Sequence, residues 1–330
     1  MDSIDIVALG ETLIDFTPLE SSVSQNAVFE QNPGGAPANV LAMAAKFGCK
    51  TAMISKVGND LFGQFICKSL REAGIDDRYI MVDETVPTTL AFVQLTPSGE
   101  RSFCFYRKPG ADIMLSENEL PLDLLSNCKI FHFGSVSLTD DPCKMATLKA
   151  AEFAREKGAL ISYDPNYRPP LWSDERVAKE SLKAAVSLAD VVKVSEEELV
   201  FITGEKDLET GAKAMCDLGP TVVFVTRGER GAAVRCGTYF TMQHTFSVNA
   251  IDTTGAGDAF LGAFLAQLIM HGDCKDFKSW TVDMWRKALQ LSNAAGSLTT
   301  TRKGAIPAMP SIDEIDEHLH LLIGTIPDSV

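Results

Sequence analysis

The sequence predicts an α/β fold: a parallel-rich central sheet with helices on both faces, three layers in all, and a small β-sheet lid. Three observations lead there. From Lys129 onward short apolar runs alternate with stretches of helical spacing, the pattern of βα units whose strands lie parallel. Residues 88–96 and 101–106, with alternating polar residues, flank Pro97-Ser98-Gly99-Glu100, a hairpin signal inserted among those units. Residues 250–270 run from a Gly-rich loop into apolar residues at Phe260, Phe264, Leu265, Leu268 and Ile269, a helical spacing.

Taken in order, residues 4–9 form an apolar run that ends at Gly10 and reads as a buried parallel strand. Glu11 and Asp15 lie just past its carboxyl end, where open α/β sheets bind ligands. Residues 21–32 are polar, and Pro33-Gly34-Gly35 breaks them before a helix over 38–47 that turns Val40, Leu41, Ala44 and Ala45 inward. Asn39 falls in its first turn, where a helix cap is the plain alternative. The polar-faced hairpin at 88–106 suits a small sheet covering a site. Strands follow over 130–134, 160–164, 191–194 and 221–226, with helices near 143–157, 178–188, 197–203 and 210–218. Residues 245–248 are β-branched and aromatic and read as a strand, and 285–300 as a helix rich in small residues.

Composition narrows the function. At 330 residues one large core with a small appendage is expected, and 45% hydrophobic with 22% charged residues is an ordinary globular balance. A net charge of -14 offers no basic cluster to offset a polyphosphate backbone, so nucleic acid is not a partner. The eight cysteines form no Cys-x-x-Cys pair and read as free thiols in a reducing compartment. The chain goes straight from Met-Asp-Ser-Ile-Asp into strand-like sequence, and residues 259–270 are too short for a bilayer, which takes roughly 20 residues. The expected place is the cytoplasm, with no membrane partner. No Gly-x-x-x-x-Gly-Lys-Ser/Thr occurs, which argues against a P-loop kinase, and the five histidines show no metal spacing.

The Gly-rich helix start carries the chemistry. Gly255 and Gly257 flank Ala256 and bring backbone N–H groups close to a ligand, and a helix start adds a partial positive charge: an anion site. Asp258 in its mouth would repel a phosphate that was only bound. It makes sense as the base that takes a proton from an attacking hydroxyl while the amides hold the transferred phosphoryl. The bland alternative is an ordinary helix cap.

Asp252-Thr-Thr-Gly-Ala-Gly-Asp-Ala-Phe260 resembles the C-terminal signature of the ribokinase-like (PfkB) carbohydrate kinases, and Pro33-Gly-Gly-Ala-Pro-Ala-Asn39 resembles their N-terminal one. The likeness runs through Gly10-Glu-Thr-Leu-Ile-Asp15, Lys56-Val-Gly-Asn-Asp60, Phe105-Tyr-Arg107, Asp164-Pro-Asn-Tyr-Arg168 and Arg302-Lys-Gly-Ala-Ile-Pro307, nearly the whole chain, and is strongest to the fructokinases. It implies one ribokinase-like domain over 1–330, with a lid from about 13–33 and 88–108 through which a homodimer could form. It implies ATP-dependent phosphorylation of fructose at O6.

Residue by residue, the resemblance puts Asp15, Gly34, Gly35 and Asn39 on the sugar, joined by Phe105, Arg107, Asn166 and Arg168. Thr226, Gly228 and Asn293 fall on the nucleotide side with Gly255 and Gly257. Glu198 would order Mg2+ through water, although Ser195 stands where the family pattern has Asn. Asp252, Thr254 and the turn with Thr299, Arg302 and Gly304 resemble a site for an activating K+. Two rivals stay open: a 2-keto-3-deoxygluconate kinase, whose acidic substrate would use Arg107 and Arg168, and a catalytically silent sugar- or nucleotide-binding regulator on the same fold.

Overall fold

Near-continuous apolar strands decide the architecture, because only a sheet covered on both faces can bury them. The structure is a computed structural model that describes residues 3–19, 26–95 and 101–323. In chain order it runs β1 (Ile4–Leu9), β2 (Leu13–Leu19), β3 (Val28–Gly34), α1 (Ala36–Lys46), β4 (Thr51–Gly58), α2 (Leu61–Glu72), β5 (Ile75–Asp76), β6 (Ile80–Asp83), β7 (Leu90–Leu95) and β8 (Arg101–Tyr106). Then come α3 (Leu122–Leu125), β9 (Cys128–Gly134), α4 (Cys143–Glu156), β10 (Leu160–Asp164), α5 (Glu175–Val186), β11 (Val191–Ser195), α6 (Glu196–Thr203), α7 (Leu208–Cys216), β12 (Val222–Thr226), β13 (Ala232–Cys236) and β14 (Tyr239–Gln243). Helices α8 (Ala256–His271), α9 (Val282–Thr299) and α10 (Ile312–Ile323) close the chain.

The central sheet has ten strands among the described residues, in the order β14-β13-β12-β11-β10-β9-β1-β4-β5, with β6 also on β4. Strand pairs from β12 through β1 to β4 are parallel, while β13 and β14 add an antiparallel edge that the βα reading did not contain. Alternate residues feed two cores, as a period of two requires. Ile6, Ala8, Ile130 and Phe224 pack with α1, α8 and α9, whereas Val7, Leu9, Phe131, Tyr163 and Val225 pack with α4 to α7.

A second sheet, β3-β2-β7-β8, stands apart from the first. Pro33 is tolerated there because β3 is an edge strand of the described sheet. The 97–100 turn of the hairpin lies outside the described residues.

Asp15, just past β1, lies in β2 of this smaller sheet, within the expected lid segment, and pairs with Asn32 and Ala91. One local reading needs correction. Residues 245–248 are not a strand. The segment leaves β14 and is held by side chains instead, with the Asn293 amide donating to the Gln243 carbonyl at 3.2 Å and the Thr245 hydroxyl to the Asn293 carbonyl at 3.4 Å. Their β-branched and aromatic composition suits a strand, but no neighbouring strand supplies a ladder there.

Candidate active site

The Gly-rich start of α8 is built by backbone geometry. Gly255 caps it at φ 79°, in the left-handed region that glycine favours, and a Cβ there would meet Ala305 at 2.8 Å. No side chain caps this helix: the Ala256 N–H reaches the Thr253 carbonyl at 3.3 Å, and the N–H groups that follow in the first turn have no side-chain cap. The start of α1 is similar: Gly35 has φ 120°, and a Cβ would lie 2.3 Å from the Glu11 carbonyl. Glu11 Oε1 accepts the Ala36 N–H at 2.9 Å, and burial raises the Glu11 carboxyl to about 7.

Helices α1 and α8 pack so closely that a Cβ on Gly262 would sit 2.4 Å from the Val40 carbonyl. This contact brings the two motifs together. Asn39 Nδ2 donates to Asp258 Oδ2 at 2.8 Å, and Asn166 Nδ2 donates to Asp258 Oδ1 at 3.1 Å. Asp258 therefore does not cap the helix: it is the third residue of α8, in the first turn, 7% exposed, with its carboxylate aimed by two amides. Asn166 holds φ 44°, a strained backbone for a residue with a side chain, and strain of this kind persists where the surroundings over-determine it.

Two clefts open at the carboxyl ends of the central strands. The first, about 750 Å³, is bordered by Asp15, Gly35, Asn39, Phe105, Asn166, Arg168, Lys193, Glu198 and Asp258. The second, about 810 Å³, is bordered by Thr226, Gly228, Phe246, Ala256, Asn293 and Thr300. Thr253 and Gly257 border both, so the anion loop is the wall where the clefts meet. Gly34 does not border the first cleft but supports it, since a Cβ there would fall 2.1 Å from Asp15 Oδ2.

Burial raises the Asp15 carboxyl to about 7, with Arg168 pulling it down and the Asp252 and Asp258 charges pushing it up. The folded value lies above the ordinary 3.8, so the protonated group stabilises the sugar-free fold below about pH 4, and that contribution is lost as pH rises through 7. Arg168 is steadied by the Tyr167 carbonyl at 3.3 Å and Asn166 Oδ1 at 3.2 Å.

Arg107 is a correction. Its guanidinium is not on the cleft but buried, donating to Asp112 Oδ2 at 2.8 Å, Thr139 Oγ1 at 2.8 Å and the Val136 carbonyl at 3.0 Å. Lying just past β8, it pins the end of the smaller sheet to the body.

Glu198 lies at the cleft with both oxygens engaged, Oε1 by the Tyr167 N–H at 2.7 Å and Oε2 by the Ser195 N–H at 2.8 Å. Ser195, which replaces the expected Asn, forms a capping box with Glu198 at the start of α6. Asp252 ties the anion loop to the distant turn: Oδ1 accepts the Thr254 N–H at 2.8 Å and Oδ2 the Gly304 N–H at 3.1 Å. Thr299 Oγ1 donates to the Ala295 carbonyl and the Arg302 guanidinium pairs with Glu314.

The sequence profile for "pfkB family carbohydrate kinase" matches residues 3–312. The chain belongs to the PfkB family of carbohydrate kinases. It is 43% identical over 309 residues to the probable fructokinase-2 of Arabidopsis thaliana, covering 93% of each chain. It is similar to the crystal structure of a fructokinase with bound ATP from Xylella fastidiosa, with TM-score 0.88, 32% identity and 97% and 99% of the two chains covered. A fructokinase double mutant from Vibrio cholerae O395, in its fructose, ADP and potassium ion bound form, aligns with TM-score 0.85 and 35% identity over 96% of this chain and 99% of its own.

For a PfkB kinase the structure also brings in two residues with no assigned role in the sequence reading. Lys193 in β11 and Asp164 at the end of β10 form a buried ion pair of 2.7 Å beside Asp258. The signal was there: a lysine inside the run Val191-Val192-Lys193-Val194 is out of place in a strand buried on both faces.

Proposed function

We propose that the chain is an ATP-dependent fructokinase that moves the γ-phosphoryl group of ATP to the C6 hydroxyl of D-fructose. The observation that carries this reading is the anion loop shared by two clefts, with Asp258 on the side of the first. Fructose occupies the first cleft, its hydroxyls on Asp15, Asn39 and Arg168. ATP occupies the second, its terminal phosphate over the amides of Gly255, Ala256 and Gly257. The O6 proton passes to Asp258, whose direction Asn39 and Asn166 fix at 2.8 and 3.1 Å. The amides are in place before charge gathers on the phosphoryl oxygens, so no reorganisation is needed during transfer.

Among the described residues no group of three or more His, Cys, Asp or Glu side chains is placed to hold a metal ion. Glu198, at the first cleft, would be an outer partner of Mg2+ carried by nucleotide phosphates and water; when bound, Mg2+ neutralises phosphate charge. Asp252, which ties the anion loop to Gly304, and backbone carbonyls of Thr299, Arg302 and Gly304 would together make a hard-oxygen set of low charge, suited to K+. Replacing a large organic cation by potassium at constant ionic strength is expected to raise turnover, because a cation there stiffens the anion loop. Equal rates in the two salts would remove the site.

Burial of Arg107 weighs against the 2-keto-3-deoxygluconate reading, which needed two arginines on the substrate. A coupled assay over fructose, ribose, 2-keto-3-deoxygluconate and adenosine with ATP tests the assignment, with the highest kcat/KM expected for fructose. If no sugar is phosphorylated, the regulator reading takes its place.

Asp15 governs sugar affinity. Only its carboxylate offers both oxygens as acceptors, so KM for fructose is expected to fall as pH rises through about 7. Asp15→Ala is expected to raise KM roughly ten- to a hundredfold, the worth of a charge-assisted hydrogen bond, and to flatten this pH dependence. An unchanged KM for every sugar would place the sugar elsewhere.

The smaller sheet supports a homodimer. Phe16, Phe29, Phe92 and Tyr106 form a ring cluster on its face away from Asp15 and Phe105, with Phe29 40% and Tyr106 64% exposed. Sedimentation velocity is expected to give twice the 35.7 kDa chain mass, and a monomer at micromolar concentration would refute it. No helix among the described residues is long and apolar enough to cross a membrane. The eight free cysteines fit a reducing cytoplasm.

A further inference from the structure

A buried lysine needs a reason, since burial alone penalises its charge. Lys193 is 5% exposed, in the middle of β11. Its ammonium lies 2.7 Å from Asp164 Oδ2, and among the described residues no second acceptor lies within hydrogen-bond distance. Two of its three N–H groups are thus uncommitted. A Cβ on Gly257 would fall 2.9 Å from Lys193 Nζ, so the ammonium rests against the first turn of α8, beside the amides of the anion loop. Lys193 also borders the first cleft, whose wall carries the carboxylates of Asp15, Glu197, Glu198 and Asp258. Burial pulls its pKa down, but attraction from Asp164, Glu198 and Asp258 outweighs this and raises it, so the group stays cationic.

We infer that Lys193 is a further catalytic residue, its ammonium contacting the phosphoryl group as it passes between the two clefts. This rests on the kinase reading given above. In the transfer the bond from phosphorus to the ADP oxygen breaks, the bond from phosphorus to the sugar oxygen forms, and the hydroxyl proton goes to Asp258. Lys193 moves no proton. It supplies a full positive charge where backbone amides supply partial ones, in a cleft whose carboxylates would otherwise repel the incoming phosphoryl oxygens. Asp164 positions it: one oxygen holds the ammonium, while the other accepts the Asn166 N–H at 3.2 Å.

The competing role is a structural one, in which Lys193 serves only to neutralise Asp164. Lys193→Met alone leaves Asp164 as an unpaired buried charge and destabilises the fold on either view. The decisive variant is Lys193→Met with Asp164→Asn, which removes both charges. It is expected to melt near the wild type, keep KM for fructose within a few-fold and lose about 10²-fold or more in kcat, as when one oxyanion donor is removed. It is also expected to bind ADP with aluminium fluoride and sugar at least ten times more weakly than the wild type, while binding ADP alone equally well. Near-wild-type kcat, or unchanged affinity for the aluminium fluoride complex, would leave Lys193 a structural counter-charge and overturn the inference. Should the double variant not fold, NMR of the wild type labelled with 15N-lysine carries the test. The Lys193 Nζ resonance must shift with ADP, aluminium fluoride and sugar together, relative to ADP and sugar, and an unmoved resonance overturns the inference. If the preferred sugar is not fructose, the substrate assignment fails while this test runs unchanged with the sugar that is used.

Discussion

Asp258→Asn is expected to lower kcat by about 10²–10⁴-fold, the usual worth of general-base catalysis, while fructose and ATP still bind. An amide cannot take the hydroxyl proton, so the loss falls on the transition state and appears in kcat. The structure adds a cost that a helix cap would not carry. Both Asp258 oxygens accept from amide nitrogens, of Asn39 and Asn166, and an asparagine can accept on one side only. The other side would face donor against donor, so the variant is also expected to lose about 1–3 kcal/mol of stability. Steady-state kinetics, a thermal melt and calorimetric titration of both substrates on one preparation separate these effects. A folded Asp258→Asn protein with kcat within a few-fold of the wild type would end the catalytic assignment.

Arg107→Ala is expected to act on stability. Both partners of the Arg107–Asp112 pair are buried, with side chains 3% and 2% exposed. Truncating the arginine strands the Asp112 carboxylate, and breaking a buried pair in this way costs about 3–5 kcal/mol. The double variant Arg107→Met with Asp112→Asn should recover much of that loss by removing both charges. A sugar-binding arginine would behave differently, with KM rising and the melt unchanged. That second pattern would return Arg107 to the substrate site.

The buried pair also shows why Arg107 was misread. A guanidinium in an acidic chain looks like a ligand for a planar anion, and the sequence holds no sign that Asp112, five residues on, folds back to meet it. The turn between them is tied to a distant segment, with the Ala111 N–H donating to the Pro87 carbonyl and the Thr89 hydroxyl to Asp112, while Val136 and Thr139 accept the remaining Arg107 donors. Lys193 is the reverse case. Its place in an apolar strand was visible, but its meaning depends on Gly257 and Asp164, 64 and 29 residues away in sequence.

What the sequence determined by itself was whatever is encoded locally. Apolar runs fixed most central strands, helical spacing fixed α8 and α9, and glycines at 34, 35, 255 and 257 marked the points where backbone must approach a ligand or another backbone. The periodicities of two and 3.6 residues are local properties of the chain, so they can be read without knowing its neighbours. Tertiary structure alone decided which polar groups meet. It set Asn39 and Asn166 on the two oxygens of Asp258, joined Asp252 to Gly304 and buried Arg107. A side chain's partner depends on how strands and helices far apart in sequence come to rest, and the low dielectric of the interior then turns each such meeting into a large energetic effect.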